Sequence, residues 1–579
     1  RGAAPSQRSP VAGFRNLFQP SPAQTFSAGG LVELARTTDE RPLRRLLRKL
    51  SNRMARPDAW ADKLASPDLK LQPSENPGLP SGYTYFLQLM AHDLIDSAVS
   101  LAEAGAGRTG FVNSRVEQLC LDTIYGDGPD NAPHVYEIDR MHRENMATVP
   151  RTRLRLGRIA RDDGTTDAGC PFRDLARAYP IDVTDAGLRE GERLDRPKEH
   201  WRPWRTEVLA ADVRNDSHAL ISQLTVLFHI LHNHVMDLLG PPTSDAVQMY
   251  RRFVCARVVV TLIYRSIIRN DVMARILHPA VFKRYVTDRL PLLEDAPAYS
   301  GDLSSMPLEF SHGAFRFGHV MVRDAYRVNS QERQDFVNAL VQSSVHRPGN
   351  LPVRELWHVD WSEFFETDAT PPNWSMRLGP SVAGPLRNSQ MFPPMIRDLD
   401  GEGVQGRDLV GAAFADVWSV PALTAELSAM PGLAAFVPDY GVWKAPLRAW
   451  LGRRAGDFET SIFEPDDIDR LVDDPPLPFF VMFEAGHVLD NGVPTAAGGG
   501  RRLGPVGSLI VAETIFGALQ RNPISYEAAG ARLSEQIAAA CEALLQNQAA
   551  LAAIPEIADM PALLKYLRDG GAIALPGPA

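Results

Sequence analysis

The sequence predicts a mainly α-helical fold with few short strands, and the prediction depends on the spacing of its apolar residues. Over about 216–239 they recur every three or four residues, which is typical of an amphipathic helix. Over about 246–268 they surround the helix almost completely, which is typical of a central, buried helix. The end of the chain is rich in Ala and Leu, and few segments show the alternation of a strand.

The rest of the chain is predicted as one helical domain behind an N-terminal arm. Further helices are predicted from Gly82 onward, over 330–346, over 406–454 and at about 505–520. Residues 110–205 are rich in Gly, Asp and Pro and are predicted as loops. We therefore predict an irregular arm over residues 1–75, with one basic helical stretch, and a single large domain over residues 76–579.

Composition excludes several classes of function. Of 579 residues, 44% are hydrophobic and 23% are charged, which is typical of a globular protein. A net charge of −9 argues against nucleic acid or an anionic membrane as the main partner. No apolar run reaches the roughly 20 residues needed to span a bilayer, and no signal-peptide pattern is visible. The four cysteines are far apart, which excludes a zinc ribbon.

Three segments place ionisable side chains in apolar surroundings. In LQLMAHDLIDS, His92 and Asp93 are adjacent on an apolar helix. In AADVRNDSHALISQL, Arg214 precedes a long apolar helix. In EFSHGAFRFGHVMV, His319 follows Gly318, whose small size allows a flat group to approach closely. Because a buried ionisable group needs a partner, these residues are expected to face a cavity, water or an ion.

Each of these residues alone also has an ordinary structural explanation. A histidine on a helix is more often a hydrogen-bonded core residue than a ligand. An arginine at the start of a helix is usually an ion-pair partner, and here Asp212 or Asp216 could pair with Arg214. The order and content of the three segments together favour a functional site.

Five segments resemble the animal haem peroxidase family, also called the peroxidase–cyclooxygenase superfamily. LQLMAHDL looks like the family's distal-histidine helix, and EFSHGAFRFGHVMV is similar to its proximal-histidine segment. VRNDSHALISQLTVLFHILHNHVMDLL resembles the helix that begins with the catalytic arginine. LDTIYGDGP resembles the end of the calcium loop, and RRLGPVGSLIVAETIFGAL looks like the C-terminal signature of bacterial members. The segments follow the family order from about residue 82 to residue 520.

The resemblance implies a catalytic set on one side of a haem. His92 would move a proton between the two peroxide oxygens, since a neutral imidazole titrates near the working pH. Arg214 would stabilise charge on the leaving oxygen, because a guanidinium stays protonated. Gln88, one turn before His92, would hold a water or a halide.

On the other side of the haem, the resemblance implies that His319 is the axial ligand of the iron. Arg316 would pair with a haem propionate. The family places an asparagine beside the second ring nitrogen of the axial histidine, and in GRDLVG the corresponding residue is Asp408. A carboxylate there would increase electron density at the iron and lower its reduction potential.

Two departures from the family pattern concern the cofactors. Mammalian members form ester links to the haem at positions that correspond to Ala91 and Ser217, and neither residue can form an ester. Haem b bound non-covalently is therefore expected. Asp93 and Asp122 could still bind calcium, but Cys120 replaces an aspartate of the family, and a thiol is a poor ligand for this cation.

These observations predict a haem peroxidase that reduces hydrogen peroxide or an organic hydroperoxide and oxidises a small organic molecule or a halide. Arg316 stands where cyclooxygenases and α-dioxygenases carry a radical-forming tyrosine, so fatty-acid oxygenation by that route is not expected. Two alternatives stay open: a haem-binding protein with little turnover, and a biosynthetic oxidase with one organic substrate. The sequence also leaves the compartment and the oligomeric state open.

Overall fold

The computed structural model shows a mainly α-helical molecule, which confirms the predicted fold class. It describes residues 13–55, 74–96, 112–115, 118–137, 150–158, 173–178, 207–288, 293, 305–329, 333–340, 353, 355–367, 371–387, 403–453, 463–521, 532–542, 544 and 550–573.

The α-helices of these residues differ widely in length, and the longest lie in the middle of the chain. They are Leu31–Thr37 (α1), Arg41–Met54 (α2), Gly82–Leu94 (α3), Asp122–Tyr125 (α4), Gly128–Asn131 (α5), Ala219–Leu238 (α6), Ala246–Ile267 (α7), Met273–Ile276 (α8), Pro279–Asp288 (α9), Leu308–Ser311 (α10), Phe336–Ala339 (α11), Val404–Phe414 (α12), Val420–Ala429 (α13), Gly441–Gly452 (α14), Pro465–Asp473 (α15), Leu477–Ala485 (α16), Pro505–Arg521 (α17), Leu533–Cys541 (α18) and Met560–Asp569 (α19). Two 3₁₀ segments, Val213–Asp216 and Ala314–Met321, carry predicted site residues.

The strands are short and pair two by two. The pairs are Phe14–Arg15 with Met306–Pro307, Glu75–Pro80 with Trp374–Met376, Leu156–Arg158 with Arg173–Leu175, Arg177–Ala178 with Glu207–Val208, Ala325–Arg327 with Arg333–Asp335, and Val488–Asp490 with Val493–Thr495. The first pair is parallel and the others are antiparallel. In the described part of the chain no pair extends into a larger sheet, so the helices form the framework.

Two long helices, α6 and α7, form the centre of the fold close to their predicted bounds. Helix α6 begins where Nδ1 of His218 accepts the backbone N–H of Ile221, and α7 begins where Asp245 accepts that of Gln248. Such side-chain caps satisfy backbone donors that the first turn of a helix leaves unpaired. Most apolar side chains of both helices are buried, and α7 continues into a π-helical turn at Ile268–Val272.

Part of the N-terminal arm packs into the main hydrophobic core, and the basic helical stretch predicted there is helix α2. Helix α2 buries four leucines at helical spacing: Leu43, Leu46, Leu47 and Leu50. Near the end of this helix the guanidinium of Arg53 is buried 4.4 Å from the ring centroid of Trp450.

Two other predicted helical regions are divided or shorter. The region 406–454 consists of α12, α13 and α14, and Gly432, with a φ of 78°, lies in the turn before α14. Of the region 330–346, only α11 is helical in the described part, and residues 341–346 lie outside it. No helix among the described residues is long and apolar enough to cross a membrane.

Candidate functional site

A cavity of about 420 Å³ brings together segments that are far apart in the sequence. Five of the eight predicted site residues line it: Gln88, His92, Arg214, Arg316 and His319. The other lining residues are mostly apolar: Thr84, Tyr85, Leu87, Ala91, Ile95, Ser217, His218, Ser311, Phe315, Gly318, Val322, Phe336, Leu340, Leu386 and Val404. A pocket with apolar walls and a few converging polar groups is the usual form of a small-molecule site.

Helix α3 carries His92 in its last turn, where the imidazole lines the cavity. Nδ1 of His92 lies 2.8 Å from Oδ1 of Asn215. The amide nitrogen of Asn215 donates to the backbone oxygen and to Oγ1 of Thr123, each at 3.0 Å, so its oxygen is turned toward His92. Nδ1 therefore carries the proton and donates. Nε2 is the basic nitrogen, and no described residue forms a hydrogen bond with it.

The surroundings of His92 favour the neutral imidazole. Burial lowers the pKa of His92 to about 4, and the charge of Arg214 acts in the same direction. Asp212 and the hydrogen bond with Asn215 oppose this lowering of the pKa without cancelling it. At neutral pH the ring is therefore unprotonated at Nε2 and can accept a proton.

Arg214 lies in the 3₁₀ turn before α6 and is held beside His92. The carboxylate of Asp212 accepts from its backbone N–H at 3.0 Å, from Nε at 2.9 Å and from Nη2 at 2.6 Å. Nη1 donates to the carbonyl oxygen of Ile95 and Nη2 to that of His92. These contacts use four of the five guanidinium N–H groups. The alternative partner, Asp216, binds a different arginine.

A second arginine, Arg115, shares the carboxylate of Asp212 at 2.7 Å and also donates to the carbonyl oxygen of His92. Burial would raise the pKa of Asp212, but the hydrogen bonds and charge of Arg214 outweigh it and hold that pKa well below its usual range. The more exposed Asp96 lies 3.7 Å from Arg214 and is better screened by solvent. Two guanidinium groups on one buried carboxylate therefore leave positive charge close to His92.

Gln88 lies one turn before His92 and bridges two residues of the facing segment. Its Nε2 donates to Oγ of Ser217 at 3.2 Å, and its Oε1 lies 2.9 Å from Nε2 of His218. Because Nδ1 of His218 accepts the N–H of Ile221, Nε2 carries the proton and donates to Gln88. The amide is thus oriented by the protein on two sides, and its role toward water or a halide stays a prediction.

His319 lines the cavity from the 3₁₀ segment Ala314–Met321. Its Nδ1 lies 2.6 Å from Oδ2 of Asp408, which is the contact that the sequence suggested. Nη1 of Arg316 lies 3.4 Å from Oδ1 of Asp408, and its Nε donates to the backbone oxygen of Ser311 at 2.8 Å. A Cβ atom at Gly318 would meet no atom within 4 Å, so the cavity is open beside His319. The roles of these residues toward a haem stay predictions.

The two aspartates predicted as calcium ligands have protein partners. Asp93 is buried and accepts the backbone N–H groups of Leu121 and Thr123 at 2.9 and 3.4 Å. Burial and the charge of Asp122 raise the pKa of Asp93 to about 6. Asp122 accepts from Nη2 of Arg257 at 2.8 Å. Among the described residues no group of three or more His, Cys, Asp or Glu could hold a metal ion, and calcium binding stays a prediction.

The buried guanidinium of Arg265 lies beside Leu119 and Cys120, in the loop that precedes Asp122. Nε of Arg265 donates to the backbone oxygen of Leu119 at 2.8 Å, and Nη2 lies 3.3 Å from Sγ of Cys120. The side chain of Arg265 is fully buried, and burial lowers its pKa, while Cys120 and Asp93 oppose this lowering without cancelling it. The loop is therefore held by a cation that belongs to the protein itself.

Sequence analysis identified residues that line the cavity and missed most of those that hold them. Asn215 and Arg115 were not singled out, and Asp212 was considered only as an ion-pair partner. Asn215 directly follows Arg214, and this adjacency was the one signal that could have indicated it. Arg115 lies outside any periodic segment, so no pattern pointed to it.

Comparisons with known proteins agree with the resemblance. Residues 188–366 match the sequence model of the animal haem peroxidase family. No protein of curated function matches the chain. Peroxidase A from Dictyostelium discoideum is 13% identical, with 88% of this chain and 90% of that chain covered and a TM-score of 0.49.

Two fatty acid α-dioxygenases also match in structure. The enzyme from Oryza sativa is 12% identical, with 90% of this chain and 79% of that chain covered and a TM-score of 0.44. The enzyme from Arabidopsis thaliana is 13% identical, with 86% of this chain and 72% of that chain covered and a TM-score of 0.46.

Proposed function

Because residues 188–366 match the sequence model of the animal haem peroxidase family, we propose that this chain is a haem peroxidase. It would reduce hydrogen peroxide or an organic hydroperoxide and oxidise a small organic molecule or a halide. The observation that carries the proposal is that His92 and His319 line the same cavity, with Arg214 beside the first. One histidine is available as a base and the other as a ligand.

The donor set at His319 fits a haem. With Nδ1 of His319 donating to Asp408, Nε2 is the nitrogen that can coordinate iron. The open space beside Gly318 admits a flat ring, and Arg316 offers a cation at the cavity wall. Haem bound there would supply the iron at which the O–O bond of a hydroperoxide is cleaved. Asp408 orients the ring of His319, and Nη1 of Arg316 lies 3.4 Å from the other oxygen of the same carboxylate.

His92 would transfer the proton that cleavage of a hydroperoxide requires. Its neutral Nε2 takes a proton from one peroxide oxygen and returns it to the departing one. Asn215 keeps Nδ1 protonated during this transfer, since its amide oxygen can only accept. The tautomer needed for the base is therefore set before a substrate arrives.

Arg214 would stabilise the negative charge that develops on the departing oxygen. Asp212 and two backbone carbonyl oxygens fix its guanidinium, so little reorganisation accompanies the reaction. The shared carboxylate does not neutralise the site, because Arg115 adds a second positive charge.

The second candidate is a haem-binding protein with little turnover. The observation that favours it is the engagement of four of the five N–H groups of Arg214 by protein acceptors. These contacts leave one N–H group of the guanidinium for a substrate.

Peroxide-dependent oxidation of a phenol by the protein saturated with haem b separates the two candidates. The peroxidase proposal predicts turnover that falls at least about a hundredfold in the His92→Ala, Arg214→Ala double variant with haem still bound. Equal turnover in the unsubstituted protein and the double variant would show that bound haem oxidises the phenol without the help of His92 and Arg214. Bound haem without turnover in either would favour the binding protein.

We expect the haem to be extractable. Ala91 has no functional group, and the hydroxyl of Ser217 accepts from Gln88, so neither residue offers a carboxylate for an ester. Treatment of the holoprotein with acid and butanone, after turnover with peroxide, should move the colour into the organic layer. Colour that stays with the polypeptide would contradict non-covalent binding.

The pH dependence of the reaction with peroxide should follow the pKa of His92. Since burial lowers that pKa to about 4, the rate per bound haem should be flat from neutral pH downward and fall as the pH approaches 4. In Asn215→Asp a carboxylate would face Nδ1 and stabilise the protonated ring. The fall should then move to higher pH by about one unit or more.

Stopped-flow traces from neutral to acidic pH measure both profiles. The variant His134→Ala, at an exposed position, serves as the control and should keep the profile of the unsubstituted protein. Identical profiles in the unsubstituted protein and in Asn215→Asp would show that His92 does not control the reaction.

A further inference from the structure

Two buried cysteines from distant parts of the chain are in contact. Cys255 lies within the central helix α7, and Cys541 is the last residue of α18. Their Sγ atoms are 2.7 Å apart, with Cys255 donating to Cys541, and both side chains are fully buried. A contact this close leaves little movement before the two sulfurs reach bonding distance.

The pair lies at the point where the C-terminal part of the chain docks onto the core. The buried side chains of α18 recur every four residues, at Leu533, Ile537 and Cys541, and this face packs on α7. Cys541 is therefore the last residue of the apolar stripe through which α18 packs on the central helix.

We propose that Cys255 and Cys541 form a disulfide when the chain meets a hydroperoxide, which attaches α18 covalently to α7. The site is distinct from the cavity of His92 and His319 and needs no haem. Local opening of α18 from α7 would admit a small oxidant to the buried sulfurs.

The chemistry requires one equivalent of hydroperoxide. The thiolate of Cys541 attacks one peroxide oxygen and the O–O bond breaks, which gives a sulfenic acid and a hydroxide, or an alkoxide from an organic hydroperoxide. This leaving group takes up the proton that the thiol of Cys541 had lost and departs as water or an alcohol. The thiol of Cys255 then attacks that sulfur, forms the S–S bond and releases a second molecule of water. The two cysteines together lose two electrons, and the peroxide gains them.

The hydrogen bond between the two sulfurs gives them different roles in this oxidation. The hydrogen bond from Cys255 lowers the pKa of Cys541, which favours Cys541 as the first nucleophile. Because the second thiol is already in contact, its attack on the sulfenic acid outcompetes further oxidation. Cys120 is not part of this pair, since its sulfur contacts the guanidinium of Arg265 instead of a second thiol.

Peptide mapping tests the proposal on the full-length protein. The protein is reduced, freed of reductant, treated with hydrogen peroxide, alkylated in denaturant and digested without reduction. We expect a peptide pair joined through Cys255 and Cys541, absent before peroxide and lost again on reduction. A pair already present in the purified protein that reduction removes and peroxide restores also supports the proposal. Full alkylation of both cysteines after peroxide, or their conversion to sulfinic and sulfonic acids, would overturn it.

Variants keep the test specific. Cys541→Ser should abolish the joined peptide, whereas Cys120→Ser, a buried cysteine elsewhere, should retain it. If Cys541→Ser does not fold, Cys255→Ser replaces it in the comparison. Closing a loop this long should also raise the melting temperature of the oxidised protein over the reduced one, on the order of several degrees. The same shift in Cys541→Ser would show that the disulfide does not cause it.

Discussion

Replacing His92 with alanine should slow the reaction of the haem-loaded protein with hydrogen peroxide by at least about two orders of magnitude per bound haem. The variant loses the imidazole at the cavity that Asn215 holds with Nε2 unprotonated, while the contacts of His319 stay intact. Haem content should change little. Stopped-flow absorbance with peroxide in excess, normalised to haem, measures the effect.

Two further variants make this result specific. Arg214→Ala should lose a comparable factor, because the positive charge near the departing oxygen is removed. Since both residues act on one event, the double variant should lose less than the product of the two single losses. His134→Ala, which is exposed, should react normally. An unchanged rate in His92→Ala would leave only the haem-binding function.

Replacing His319 with alanine should abolish stable haem binding or leave a strongly altered absorption spectrum. His319 is the one described histidine at the cavity whose ring is held by a carboxylate, as axial histidines commonly are. Titration with haem b, followed by gel filtration and absorbance, measures how much haem the variant retains.

Asp408→Asn is the matched control for this experiment. It keeps the ligand and an acceptor for Nδ1 and removes only the charge, so haem should stay bound. A His319→Ala protein with an unchanged Soret band, at the intensity of the unsubstituted protein, would show that another residue is the ligand.

The framework of the fold was predictable because α6 and α7 have a clear helical spacing of apolar residues. The N-terminal packing was not, because the leucine stripe of α2 does not show which part of the chain covers it, and the partner of Arg53 is Trp450, far along the chain. The division of the region 406–454 into three helices also depends on turns that apolar spacing alone does not place.

The residues that line the site were predictable from a resemblance, and those that support them were not. His92, Arg214 and His319 stand in recognisable motifs. The hydrogen bond from His92 to Asn215 joins residues on different elements, and the shared carboxylate of Asp212 depends on Arg115 in a loop. Such contacts arise from tertiary packing, so the spacing of residues along the chain does not predict them.

The absorption spectrum of the purified, haem-loaded protein before and after one equivalent of hydrogen peroxide tests the central claim most directly. If His319 holds haem in the cavity where His92 and Arg214 lie, a Soret band should be present, should shift on addition of peroxide, and should return when a phenol is added. A protein that binds no haem, or a Soret band that peroxide leaves unchanged, would contradict the account.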